Sequence, residues 1–116
     1  MSPDEARAFL FDFKGAVTAG SGVYLIPRDA NRQTLNYLGL TKRNLEEILL
    51  DLTVLDYCKG PKDDRDQPGE IWEFGKNVKD EDIYIKLKVA EVNGKKIAKC
   101  ISFHIAKYKL QYPYKS

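Results

Sequence analysis

Glu73, Tyr84 and His104 are side chains whose types fit acid-base chemistry, and two lysines follow the tyrosine. His104 is the one histidine of the chain, and histidine exchanges protons near neutral pH. Tyr84 can donate a proton, and Lys86 and Lys88 can hold phosphate. Cleaving RNA without a metal needs a base for the 2′-hydroxyl, an acid for the leaving 5′-oxygen and cations for the phosphoryl oxygens. A metal-independent ribonuclease is therefore one hypothesis, and an ordinary exposed strand face is the other.

Most of these side chains fall on a predicted β-hairpin from Asp82 to Ala106, whose strands are rich in β-branched and aromatic residues. A plain two-residue turn at Asn93-Gly94 would mix apolar and polar side chains on both faces. We therefore predict a type I turn with Gly94 in a G1 bulge, which shifts the pairing by one residue. This register gathers an apolar face of Ile83, Ile85, Leu87, Val89, Ile97, Ile101, Phe103 and Ile105, interrupted by Lys99. It gathers a polar face of Tyr84, Lys86, Lys88, Cys100, Ser102 and His104.

A further predicted strand, residues 71–74, shows the same alternation. Trp72 and Phe74 should face the core and Glu73 should face outward. If this strand joins the hairpin, Glu73 joins its polar face.

Helices are predicted before the sheet. Ser2 is expected to begin a helix through a capping box, with Gly20-Ser21-Gly22 as its end, and Asp29 to cap a second helix that ends at Gly39. Thr41 should cap a third helix. Helices first and strands second predict an α+β fold, with N-terminal helices packed on one face of a C-terminal antiparallel sheet of three or more strands. We expect a single domain over residues 1–116.

Three other segments carry weaker patterns. Residues 23–26 indicate an edge strand or an extended link. Residues 59–69 are polar and bounded by Gly and Pro, so a mobile surface loop is expected there. The tail, residues 107–116, is expected either to lie against the surface or to fray.

The charge distribution is more informative than the net charge of +2. From Ile83 onward the chain has eight lysines and one acidic residue, Glu91, a balance that suits a phosphate-bearing partner or protects strand edges from aggregation. The two cysteines form no CxxC or Cys/His cluster, which argues against a disulfide framework or a zinc site. No apolar run is long enough for a membrane helix, and the acidic start lacks a secretion signal, so we expect a cytoplasmic protein.

Three sequence blocks carry a family resemblance: Ile71-Trp72-Glu73, Ile83-Tyr84-Ile85-Lys86-Leu87 and Ile101-Ser102-Phe103-His104. In order and spacing they look like the IWQ, VYLKI and VSFK blocks of the MqsR family of toxins. The chain thus resembles RelE-like endoribonucleases (mRNA interferases) of bacterial toxin-antitoxin pairs. The similarity extends to the end of the first helix, to Leu38-Gly39-Leu40 and to the segment from Leu52 to Lys59.

The resemblance implies catalytic positions at Lys59, Glu73, Tyr84 and His104. Glu73 stands where the family has glutamine and His104 where it has lysine, so the division of roles stays open. Glu73 or His104 would be the base, the other or Tyr84 the acid, and Lys59 and Lys86 would stabilise the phosphorane. No cofactor or metal is implied.

The resemblance also implies single-stranded mRNA as substrate, often on the ribosome, and a cognate antitoxin as protein partner. RNA would contact Lys86, Lys88 and Ser102 and stack on tyrosines such as Tyr57, although such tyrosines can equally be packing residues. Two alternatives remain: a non-catalytic RNA- or protein-binding module that uses the same basic face, and a structural or regulatory subunit.

Overall fold

The structure is a computed structural model that describes residues 2–115. Met1 and Ser116, the ends of the predicted domain, lie outside the described residues. The helices are α1 (Pro3–Ala19), α2 (Asp29–Leu38) and α3 (Lys42–Leu50), with one turn of 3-10 helix at Val54–Asp56. The strands are β1 (Val23–Leu25), β2 (Tyr57–Asp63), β3 (Glu70–Val78), β4 (Glu81–Val92) and β5 (Lys95–Ile105). The predicted α+β class is confirmed.

The five strands form one sheet in the order β1-β5-β4-β3-β2. The pairs β2–β3, β3–β4 and β4–β5 are antiparallel, as predicted, but the edge strand β1 runs parallel to β5. The sheet is therefore mixed rather than purely antiparallel. A parallel neighbour needs a long connection, and here the segment between β1 and β5 includes two helices and three strands.

The helices pack on one face of the sheet, as expected. Phe13 of α1 and Leu49 of α3 are fully buried. Phe9 stacks on Trp72 with ring centroids 5.1 Å apart. The buried sheet residues beneath them are Trp72, Phe74, Ile83, Ile85, Leu87, Ala98, Cys100 and Phe103. None of the described helices is long and apolar enough to cross a membrane.

The helix ends differ in how they are capped. The predicted cap at Thr41 is confirmed, and the structure extends it to a capping box: Asn44 N donates to Thr41 Oγ1 (3.1 Å) and Thr41 N donates to Asn44 Oδ1 (3.0 Å). The prediction of a capping box at Ser2 is wrong, because the Ser2 side chain makes no capping hydrogen bond to the described residues. Asp29 begins α2 but is not its cap, since Arg28 occupies that position.

The turn of the β4–β5 hairpin corrects the predicted G1 bulge. Asn93 and Gly94 both have positive φ, 52° and 76°, and Val92 pairs with Lys95. These values define a two-residue type I′ turn, whose twist matches that of the flanking strands.

The shift of register lies farther along, at a β-bulge. Leu87 pairs with Cys100 but Lys86 pairs with Ser102, so Ile101 is the extra residue. The predicted register, shifted by one residue from that of a plain turn, is therefore confirmed between the bulge and the open end of the hairpin, where Ile83 pairs with Ile105. It is wrong between the bulge and the turn. Cys100 consequently lies in the core, Lys99 lies opposite Lys88 rather than on the apolar face, and Ile97 and Ile101 lie outside the core.

Residues 59–63, predicted as part of a loop, belong instead to strand β2, and the loop is confined to residues 64–69. The pairing of β2 with β3 shifts twice, between Tyr57 and Lys59 and between Lys59 and Lys62. These irregularities remove the period-two alternation by which a strand is recognised from sequence.

Candidate active site

Three neighbouring strands bring the candidate catalytic residues together. Tyr84 of β4 pairs with His104 of β5, and the two rings lie 5.3 Å apart between centroids. Glu73 of β3 pairs with Lys86 of β4 on one side and with Lys59 of β2 on the other. The expectation that Glu73, Tyr84 and His104 share the sheet face opposite the helices is confirmed.

Lys59, Glu73, Tyr84 and His104 line a single cavity of about 340 Å³. Cys58 and the segment 106–111 complete its wall. Lys59 is exposed, whereas the other three residues are buried or half-buried. We name this space the catalytic cavity.

The wall formed by the tail depends on a close approach at Gly75, which pairs with Tyr84. A Cβ at Gly75 would lie 2.5 Å from Leu110 Cδ1 and 2.5 Å from the hydroxyl oxygen of Tyr112. Tyr114 stacks on Tyr57 with ring centroids 5.2 Å apart. Of the two predicted states of the tail, the structure shows the one packed against the surface.

Glu73 is a buried carboxylate, 7% exposed, that is held by two donors. Lys62 Nζ lies 2.6 Å from Glu73 Oε2, and the Tyr84 hydroxyl donates a further hydrogen bond. Burial raises the pKa of Glu73, but these two hydrogen bonds together with the positive charges of Lys62 and Lys86 outweigh it, and the pKa falls below its usual value. The carboxylate is therefore ionised at neutral pH.

Tyr84 and His104 differ in which of their atoms carries a hydrogen. Burial, together with the hydrogen bond to Glu73, raises the pKa of Tyr84, so the phenol stays protonated. His104 Nδ1 lies 3.0 Å from the backbone oxygen of Ile105. Because a carbonyl oxygen can only accept, Nδ1 carries the hydrogen and Nε2 is left to exchange a proton.

Asn31 of α2 holds the bulged strand in place, and the sequence analysis missed it. Its side chain is fully buried. Asn31 Nδ2 donates to Ile26 O (3.0 Å) and Ile101 O (3.0 Å), and Asn31 Oδ1 accepts from Phe103 N (2.9 Å). The side-chain amide thus hydrogen-bonds the edge of β5 beyond the end of β1, and it holds the backbone of β5 on both sides of Ser102. A single polar residue in a helix gives no sequence signal of such a role.

A second depression continues from the catalytic cavity and shares Glu73 and Tyr84 with it. Its volume is about 610 Å³. We name it the basic groove because its cations outnumber its carboxylates: it is lined by Arg28, Lys62, Arg65, Lys86, Lys88 and Lys99 and by Asp63, Asp64, Asp66 and Glu73.

The four predicted RNA contacts differ in accessibility. Lys86 is half-buried and lines the groove, but Ser102 and Lys88 are buried. Tyr57 lies in the core, where its hydroxyl donates to Gly60 O (2.6 Å). Tyr57 pairs with Phe74 on the helix side of the sheet, so the structure favours the packing role for it and not the stacking role.

Cys58 lies at the cavity wall but is not a ready nucleophile. Burial, with the nearby carboxylates of Glu73 and Asp56, raises the pKa of its thiol to about 11. The thiol is therefore protonated at neutral pH, whereas the thiolate is the reactive form.

Comparisons of the chain with models of protein families, with curated proteins and with solved structures find no significant match. The resemblance to MqsR toxins therefore stays a prediction from the three sequence blocks.

Proposed function

We propose that this protein is a metal-independent endoribonuclease that cleaves single-stranded RNA by attack of a 2′-hydroxyl on the adjacent phosphate. The observation that supports this proposal is the meeting of Lys59, Glu73, Tyr84 and His104 in one cavity. They provide an ionised carboxylate, two hydrogen-bond donors and a cation, which are the groups this reaction needs.

The lowered pKa of Glu73 supports this residue as the base, which leaves the role of acid to His104. Two titratable groups in different environments can take opposite roles at one pH. Glu73, ionised at neutral pH, accepts the proton of the 2′-hydroxyl as the 2′-oxygen bonds to phosphorus. His104, in its protonated form, gives the Nε2 proton to the 5′-oxygen as the bond from phosphorus to that oxygen breaks. The products are a 2′,3′-cyclic phosphate and a free 5′-hydroxyl.

The remaining groups support this step. Tyr84 donates to Glu73 and so orients the carboxylate and keeps it ionised. Lys59 and Lys86, the cross-strand neighbours of Glu73, stabilise the negative charge that develops on the phosphoryl oxygens.

The test is incubation of the purified protein with single-stranded RNA in the presence of EDTA. We expect cleavage, with 2′,3′-cyclic phosphate ends identified by mass spectrometry. A protein that leaves the RNA intact, or that makes 3′-hydroxyl ends, contradicts the proposal.

The sequence resemblance supports a second part of the proposal, that a cognate antitoxin neutralises the protein in the cytoplasm. Expression of the protein alone should arrest bacterial growth, and co-expression of the product of an adjacent gene should restore growth. Unimpaired growth with the protein present in soluble form would contradict this part.

One observation favours a non-catalytic RNA-binding module as the alternative. The ion pair between Lys62 and Glu73 occupies the proposed base with a cation at 2.6 Å. Binding of RNA without cleavage in the assay above would support this alternative.

A further inference from the structure

Lys88 is a buried cation in the basic groove, and its surroundings require an anion. Its side chain is 3% exposed, and a buried ammonium without a partner is strongly destabilising. Lys88 also pairs directly with Lys99 across β4 and β5, and like charges opposite each other in a sheet repel. The position is therefore built to hold a negative charge.

In the free protein the carboxylate of Asp64 provides that charge. Lys88 Nζ lies 2.6 Å from Asp64 Oδ2, and this hydrogen bond lowers the pKa of Asp64 to about 2. The loop 64–69 closes over the lysine, with Asp64 N donating to Gly69 O at 3.2 Å. A Cβ at Gly69 would lie 2.9 Å from Lys88 Cε, so glycine permits the loop to approach this closely.

The groove leads from the proposed reaction centre to this position. Lys88 lies on the same face of β4 as Tyr84 and Lys86, and all three line the basic groove. Four residues of extended strand place Lys88 about 13 Å from Tyr84. A strand of nucleic acid with its reacting phosphate in the cavity can follow the groove toward Lys88.

We propose that Lys88 and Lys99 form a binding position for a backbone phosphate of single-stranded nucleic acid, which Asp64 occupies until that phosphate displaces it. The inference rests on the proposed function, which gives the path of the strand. A phosphodiester resembles the carboxylate in its negative charge and its acceptor oxygens. The loop 64–69 then acts as an internal competitor for the substrate.

The test measures the affinity of the protein for a fluorescent single-stranded 2′-deoxy oligonucleotide, which lacks the attacking hydroxyl and cannot be cleaved. Asp64→Asn is compared with Asp66→Asn, because both remove one negative charge from the same loop and the side chain of Asp66 is exposed. We expect Asp64→Asn to bind about fivefold or more tightly than Asp66→Asn. In Asp64→Asn we also expect the slope of log affinity against log salt concentration to steepen by about 0.7, the value for one more phosphate contact.

Lys88→Gln completes the design. It should weaken binding, and adding Asp64→Asn to it should give no gain over adding Asp66→Asn. Equal affinities of the two single aspartate variants would overturn the proposal, since the gain would then come from net charge. If Asp64→Asn fails to fold, unchanged affinity in Lys88→Gln would overturn it. RNA cleavage by the unaltered protein is a separate measurement, so either hypothesis can fail without the other.

Discussion

The two halves of the β4–β5 hairpin, on either side of the bulge at Ile101, present different kinds of side chain on the same face of the sheet. The half near the turn follows the register of Asn93-Gly94 and presents Lys88 and Lys99, which are cations. The other half is shifted by one residue and presents Tyr84 and His104 beside Glu73, groups that exchange protons or orient them. One half is suited to holding phosphate and the other to chemistry.

One extra residue, Ile101, accounts for the difference between the two halves. A slip of one residue in a strand moves each side chain to the opposite face. Without the bulge, His104 would pair with the buried Ile83 and would lie on the core side, away from Tyr84. We therefore expect substitutions beyond the bulge to change the chemical step and those near the turn to change affinity.

The largest effect is expected from Glu73→Gln, which keeps the shape of the side chain and removes the base. We expect kcat for RNA cleavage to fall by about 10²- to 10⁴-fold, measured by quenched-flow or gel assay. Glu70→Gln, an exposed position on the same strand, should leave kcat unchanged. Retained activity in Glu73→Gln would remove this residue from the mechanism.

Asn31→Ala tests whether the Asn31 amide holds β5 in place at the bulge. It leaves Ile101 O and Phe103 N without their side-chain partner, so we expect the free energy of unfolding to fall by about 3 kcal/mol. Urea denaturation measures this loss. The exposed Asn36→Ala in the same helix should change it by less than about 0.5 kcal/mol. Equal stability of the two variants would show that the amide does not hold the strand.

Lys62→Met tests the electrostatics of the half that carries the chemistry. The hydrogen bond from Lys62 lowers the pKa of Glu73, so its removal raises that pKa. Since the base must be deprotonated to act, the acidic limb of the profile of kcat/KM against pH should move to higher pH. Lys95→Met at the hairpin turn should not move it. An acidic limb that stays in place or moves to lower pH contradicts the role of Glu73 as base.

Lys86→Ala, next to the bulge, is expected to have the smallest effect on affinity, apart from the fall in kcat that follows from its role at the phosphoryl oxygens. Removing one phosphate contact should make the dependence of log affinity on log salt shallower by about 0.7. Titration of a 2′-deoxy oligonucleotide at several salt concentrations measures it, with Lys95→Ala as the matched control. Equal slopes in the two variants would exclude Lys86 from the path of the strand.

Sequence alternation was sufficient to predict the positions of Glu73, Tyr84 and His104, because each lies in a segment with a clear period of two. It misplaced the shift of register. Ile97 and Ile101 are apolar but lie outside the core, whereas the small Cys100 is inside it. Residues 97–101 have apolar side chains at both odd and even positions, so the alternation in this segment cannot locate the bulge.

Contacts between distant parts of the chain were beyond the reach of the sequence. Asn31 and Phe103 are 72 residues apart, and nothing local marks their hydrogen bond. Lys62 lies in a polar segment bounded by Gly and Pro, a composition that predicts a loop, so the sequence gives no sign of its ion pair with Glu73. The packing of Leu110 over Gly75 likewise depends on tertiary geometry.

Acid-base cleavage by the cavity residues is tested most directly by the variant His104→Ala. The measurement compares kcat for single-stranded RNA with the affinity for a 2′-deoxy oligonucleotide, with thermal unfolding as the check on folding. We predict a loss in kcat of about 10²-fold or more with nearly unchanged affinity, because His104 donates the proton and does not hold the strand. A folded His104→Ala variant that cleaves RNA as fast as the unaltered protein would contradict the account.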